Sequence, residues 1–137
     1  MRAVVVDASV ALKWFLQESD SPSANALIDR DVRLIAPRFL HAEVANGLWK
    51  AGLRQQISRV EAHGFLGNIE RLITAWHPDY DLVAEALDFA LRLRHPIYDC
   101  LYLVLAQRRG TCCVTADKRL VAAAPKGLAI TLADWVG

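Results

Sequence analysis

Asp7, Glu43, Asp99 and Asp117 are the residues of this 137-residue chain whose types and placement fit one common chemistry. Asp7 ends the apolar run Ala3-Val4-Val5-Val6, and Asp117 follows Cys112-Cys113-Val114-Thr115. In open parallel sheets, ligands sit beyond the carboxyl ends of the strands, so both aspartates stand at the expected mouth. Asp99 is expected near the start of a helix on the same side. Glu43 lies one helical step from Leu40 and borders the stripe Leu40, Val44 and Leu48, which turns it toward the core edge rather than open water. Each acid alone also has an ordinary structural reading. An aspartate after a strand is a turn former or helix cap, and a helical glutamate is a solvated side chain.

Four carboxylates at one mouth repel each other by about 4 kcal/mol per pair at ~4 Å with an effective dielectric near 20. A cation makes such a cluster tolerable. All-oxygen ligation selects hard divalent ions, and Mg²⁺, with Mn²⁺ as its alternative, is the expected one. Zinc is not expected, because His41, His63, His77 and His95 show no ligand spacing and the cysteines fall in a strand and a helix. A metal so held lowers the pKa of a bound water and stabilises charge on a phosphate, which is the chemistry of phosphodiester hydrolysis.

The elements that must position these acids are legible as strands alternating with helices. Val10, Ala11, Trp14 and Phe15 recur at helical spacing after Asp7, with Ser9 available to cap the first turn. A short helix is predicted after Pro22, with Ala24, Leu27 and Ile28 inward, then a strand over 32–36 closed by Pro37. The next helix covers 39–51 and stops at Gly52. Ser58 and Glu61 form a capping box for a helix carrying Phe65, Leu66, Ile69, Leu72 and Ile73, before Pro78 breaks the chain. A helix over 82–94 turns Ala86, Leu87, Ala90, Leu91 and Leu93 inward, and Pro96 separates it from one over 98–108 that ends at Gly110. A strand over 112–115, a short helix stopping before Pro125 and a strand over 128–132 complete the pattern. It predicts a single α/β domain over 1–137, with a mainly parallel central sheet flanked by helices.

Composition narrows the class. Hydrophobic residues make up 54% of the chain, enough for a full core. No apolar run approaches the ~18 residues of a membrane span. Met1 and Arg2 lead straight into a strand, without the apolar stretch and cleavage site of a signal peptide, so a soluble, cytoplasmic protein is expected. Cys100, Cys112 and Cys113 lack CxxC spacing and are read as reduced core residues. A formal net charge of +1 does not announce a nucleic-acid binder, so that role must rest on local patches.

The segments Val5-Val6-Asp7-Ala8-Ser9, Glu43-Val44-Ala45-Asn46, Tyr98-Asp99-Cys100-Leu101-Tyr102 and Val114-Thr115-Ala116-Asp117-Lys118-Arg119-Leu120 occur in the order and spacing of a known family. The chain resembles the PIN domain over nearly its whole length, and within that family the VapC-like toxins of toxin–antitoxin pairs. The resemblance implies a metal-dependent endoribonuclease acting on RNA, with Asp7, Glu43, Asp99 and Asp117 as its acids. Thr115 matches a hydroxyl residue that would orient Asp117 or a metal-bound water. Ser9 matches a similar position near the first acid, where a helix cap explains it equally. Asn46, three residues after Glu43, is expected to hydrogen-bond it or the substrate. Lys13, Lys118 and Arg119 flank two of the acids, as phosphate contacts or as solvated surface charges. Cys100 stands where the family often has alanine and is read as a small core residue. The resemblance further implies a homodimer restrained by a small antitoxin. The aromatics Trp14, Phe15, Phe39, Trp49 and Phe65 are candidate surface for these partners.

Other phosphate chemistries fit less well. An aspartyl phosphotransferase resembling DxDx[TV] would need an acid at Ser9, and a receiver domain would need an acidic pair near the first strand. The remaining alternative is a non-catalytic module of the same fold that binds RNA or protein; retention of all four acids argues against it.

Overall fold

The computed structural model describes residues 2–16, 21–29 and 31–135; the two ends of the expected domain, Met1 and Gly137, lie outside them. Its centre is a five-stranded, all-parallel sheet in the order β3-β2-β1-β4-β5. The strands are β1 (Arg2–Val6), β2 (Val32–Pro37), β3 (Ala75–His77), β4 (Cys113–Thr115) and β5 (Ala129–Thr131). Val4, Val5 and Val6 are fully buried, as a continuous apolar run between two helical layers requires.

The strand order creates the site. From β1 the chain leaves through α1 (Ala8–Ala11), a 3-10 turn (Leu12–Trp14) and α2 (Ser21–Asp29) toward β2, whereas from β4 it leaves through α7 (Lys118–Ala123) toward β5 on the other side. The two departures diverge between neighbouring strands, and such a switch point opens a crevice at their carboxyl ends. Asp7 and Asp117 follow those two strands. α3 (Phe39–Leu53) begins directly beyond β2, so Glu43 reaches the same end of the sheet. α6 (Ile97–Arg108) carries Asp99 in its first turn, where the helix dipole favours an anion. From Cys100 to Ala106 this helix is buried on every side, between β1, β2 and β4 on one flank and α5 (Val83–Leu93) on the other.

Four sequence expectations need correction. β3 was not expected: it has three residues at the sheet edge, too short to show a periodicity, and it is placed by pairing with Ile35, Ala36 and Pro37. Leu87 and Leu91 point outward, 49% and 71% exposed, because α5 seats Ala86 and Phe89 against the core instead, together with Leu82 just before the helix. α3 runs through Gly52; the left-handed residue behind it is Gln55, with φ 60°. The candidate surface aromatics are mostly packed: Trp14 Nε1 donates to the Ala24 carbonyl at 2.9 Å, Phe15 stacks on Phe65, and Phe39 stacks on Tyr98. Trp49 alone of the five is exposed, at 58%. The capping box of α4 (Arg59–Leu72) forms as expected, with Ser58 and Glu61 each accepting the other's backbone N–H.

Gly47 fixes the approach of the N-terminal segment to α3. A Cβ placed there would lie 2.4 Å from Leu12 Cδ1, 2.8 Å from Cδ2 and 3.1 Å from Cγ, so rotating one methyl group does not clear it. Gly47→Ala should gain roughly 1 kcal/mol of helix propensity. Overpacking costs about 1–3 kcal/mol and outweighs that gain. We expect a net loss of about 1 kcal/mol in denaturant titration; a variant as stable as the parent would show that Leu12 has room to move.

Candidate active site

Among the described residues Asp7 is the most enclosed acid, 6% exposed. Its Oδ1 accepts from Ser9 Oγ at 2.5 Å and from the Val10 N–H at 3.2 Å, while Thr115 Oγ1 donates a short bond to Oδ2. Burial pushes its pKa from 3.8 to about 6; the three hydrogen bonds oppose that rise, and nearby Asp99 adds to it. Asp7 itself is the N-cap of α1, so Ser9 is not the cap; it sits inside that helix and donates to the acid. Ser9 Oγ also accepts from the Ala116 N–H at 2.9 Å, tying the turn after β1 to the turn after β4.

Thr115 does not orient the Asp117 carboxylate, the first of its two expected roles. Its hydroxyl holds Asp7, the acid of the neighbouring strand, rather than the side chain of Asp117, and it accepts the Asp117 backbone N–H at 3.0 Å. The Asp117 carboxylate caps α7 by accepting from the Arg119 N–H at 2.9 Å. Two ordinary cap assignments are therefore correct as local structure, and each leaves one carboxylate oxygen outside the cap.

Glu43 is half-buried, and its Oε1 accepts a short bond from the hydroxyl of Tyr102, which is fully buried on α6. Burial raises the Glu43 pKa, the Tyr102 bond lowers it, and the charges of Asp99 and Asp7 raise it further. Burial and the Glu43 charge together hold the Tyr102 phenol well above its ordinary range, so it remains a donor. Asp7, Glu43 and Asp99 thus act on one another electrostatically, although they come from three distant segments.

Asp99 meets the fourth acid through a histidine. His95 Nε2 lies 2.7 Å from Asp99 Oδ2, and one ligand atom each from His95, Asp99 and Asp117 fall within 4.8 Å of one another. This grouping is a candidate site for one divalent ion. His95 therefore stands beside two of the acids although the histidines show no ligand spacing in the sequence.

The flanking residues divide. Asn46 is exposed, and among the described residues it makes no hydrogen bond to Glu43. Lys13 is buried, unlike a solvated phosphate contact. Lys118 and Arg119 are exposed beside Asp117, with Arg119 Nε 3.9 Å from Asp117 Oδ1. The Cys100 thiol is pushed up to about 11 by burial and by Asp99, which leaves it a core residue.

Sequence reasoning missed Tyr102 and His95. Tyr102 lies in an otherwise apolar helix, where a buried hydroxyl needs a partner, and that was its one available signal. His95 gave none, because Pro96 separates it from the helix of Asp99.

The PIN domain family model matches residues 4–126. Ribonuclease VapC3 of Pyrobaculum aerophilum is 31% identical over 121 residues, covering 85% of this chain and 91% of that protein. Solved structures share the fold, VapC20 and VapBC2 among them. VapC20 of Mycobacterium tuberculosis, described as a Sarcin-Ricin loop cleaving toxin, superposes with a TM-score of 0.69 at 15% identity, over 90% of this chain and 97% of its own. VapBC2 from Rickettsia felis, bound to a DNA fragment from their promoter, gives a TM-score of 0.65 at 11% identity, over 94% of this chain and 98% of the other.

Proposed function

This chain belongs to the PIN domain family, and from that membership we propose that it is a metal-dependent endoribonuclease, the toxin of a toxin–antitoxin pair. The observation that carries the reading is the convergence of Asp7, Glu43, Asp99 and Asp117, from four separate segments, at the switch point between β1 and β4. Mutually repelling carboxylates in a half-buried crevice are a poor way to stabilise a fold and a good way to hold a cation.

Mg²⁺ or Mn²⁺ is the proposed ion, and Asp7, Glu43, Asp99 and Asp117 are the acids that would hold it. When bound, it supplies an activated water and charge neutralisation at phosphate. The chain's own groups prepare the crevice. Ser9 and Thr115 fix the Asp7 carboxylate, Tyr102 fixes Glu43, and the first turn of α6 presents Asp99. Lys118 and Arg119 are placed to meet the RNA backbone beside Asp117.

For the antitoxin, the fitting surface is a groove of about 540 Å³ whose lining includes Phe15, Gly47, Ala51, Ile57 and Phe65, with Arg54 and Glu61 alongside. An amphipathic helix is the proposed occupant, its apolar face against Phe15, Ile57 and Phe65, and a basic residue on it would compete with metal for the acids. A second copy of the chain is the proposed homodimer partner, and the exposed row Val83, Leu87 and Leu91 is one apolar surface available to it. Among the described residues, no helix is long and apolar enough to cross a membrane.

The test is direct. Purified protein should cleave structured RNA with Mg²⁺ or Mn²⁺ and cease when a chelator is added. RNA left intact under all metal conditions would favour the non-catalytic binding module.

A further inference from the structure

His95 is held where two helices meet. Arg94 closes α5 in the left-handed conformation, φ 53°, and Pro96 precedes α6, so the backbone on both sides of the histidine is constrained. The His95 N–H bonds back to the Ala90 carbonyl at 3.2 Å. The side chain is only 12% exposed and turns toward the acids, with Nε2 2.7 Å from Asp99 Oδ2. One ring nitrogen of His95 lies within 4.8 Å of carboxylate oxygens from both Asp99 and Asp117.

We propose that His95 is a direct ligand of the ion held by Asp99 and Asp117, so that this site takes a mixed nitrogen and oxygen donor set and prefers Mn²⁺ to Mg²⁺. The inference rests on the reading of the acids as a metal site and adds a nitrogen donor to it. An imidazole nitrogen suits first-row transition ions, whereas Mg²⁺ favours carboxylate, water and phosphate oxygens. The alternative role for a histidine at this distance is to donate its Nε2–H to Asp99 and orient that carboxylate from outside the coordination sphere. The two roles differ in whether nitrogen touches the metal.

Pulsed electron paramagnetic resonance of the full chain loaded with Mn²⁺ reads that difference. The expected spectrum carries the ¹⁴N modulation of a coordinated imidazole, and His95→Gln removes it. By calorimetry, His95→Gln should weaken Mn²⁺ binding by about tenfold or more, with Mg²⁺ binding changed by less than about threefold. Asp117→Asn should weaken both ions. Bound Mn²⁺ without nitrogen modulation in the unsubstituted chain overturns the proposal and leaves the carboxylate site standing, a result that does not depend on how any variant folds. Equal losses of Mn²⁺ and Mg²⁺ affinity in His95→Gln overturn the preference. If the unsubstituted chain binds no Mn²⁺, the metal-site reading fails and this inference with it.

Discussion

Asp99→Asn and Asp7→Asn should each lower metal-dependent RNA cleavage by about 10²–10³-fold, equivalent to about 3–4 kcal/mol of transition-state stabilisation. Asp99 is the hub of the cluster: its charge acts on Asp7 and Glu43, and its carboxylate lies beside His95 and Asp117. Removing that charge weakens the hold on a cation and leaves the other acids without their shared neighbour. Asp7 is the acid most surrounded by fixed donors, so replacing it changes the field at the crevice while Asn can still cap α1. Glu43→Gln and Asp117→Asn should also remove most activity, with smaller effects. Single-turnover cleavage of a structured RNA, alongside thermal melts to show that each variant is folded, provides the measurement. Parental rates in both Asp99→Asn and Asp7→Asn, with cleavage still sensitive to chelator, would place the chemistry elsewhere.

In chelator, Asp7→Asn should be more stable than the parent chain by about 3 kcal/mol at pH 7.5 and about equal to it near pH 4. Burial raises the Asp7 pKa from 3.8 to about 6, so the folded protein retains that proton over a range where the unfolded chain has released it. The native state therefore binds more protons than the unfolded one in this range, and stability falls as pH rises. The stabilisation from protonation is fully present below pH 3.8 and is lost as pH passes through about 6. Asparagine resembles the neutral acid at every pH and avoids the loss. For a domain of this size the gain at pH 7.5 corresponds to a melting-temperature rise of roughly 10 °C. Excess divalent ion should narrow the gap by stabilising the parent, by about 2.7 kcal/mol at a hundred times its dissociation constant. Superimposable melting profiles for the two proteins across pH 4–8 in chelator would show that the Asp7 charge carries no such burden.

Much of this architecture could be read from residue order because it depends on short-range periodicity. The run Val4-Val5-Val6 is uniformly apolar and β-branched because helices cover both faces of its sheet, and the structure buries all three completely. The stripe Leu40, Val44 and Leu48 set the inward face of α3 and thereby the border on which Glu43 stands. Asp7 and Asp117 were recognisable as crevice residues because a strand's end shows in sequence, and parallel strands share a carboxyl end.

Long-range pairing was not legible. β3 exists because Ala75, Trp76 and His77 find the free edge of β2, which three residues do not reveal by themselves. Leu87 and Leu91 fit an inward helical face as well as Ala86 and Phe89 do, and only the rotation of α5 against α6 selected which side was buried. The sequence by itself determined the acids, the elements that carry them and the direction from which those elements approach. The tertiary structure alone decided that Thr115 serves Asp7, that Tyr102 serves Glu43 and that His95 lies against Asp99. The physical reason is that a hydrogen bond or ligand distance is settled within a few tenths of an ångström by packing between segments up to 108 positions apart. Local propensity carries no information about that distance.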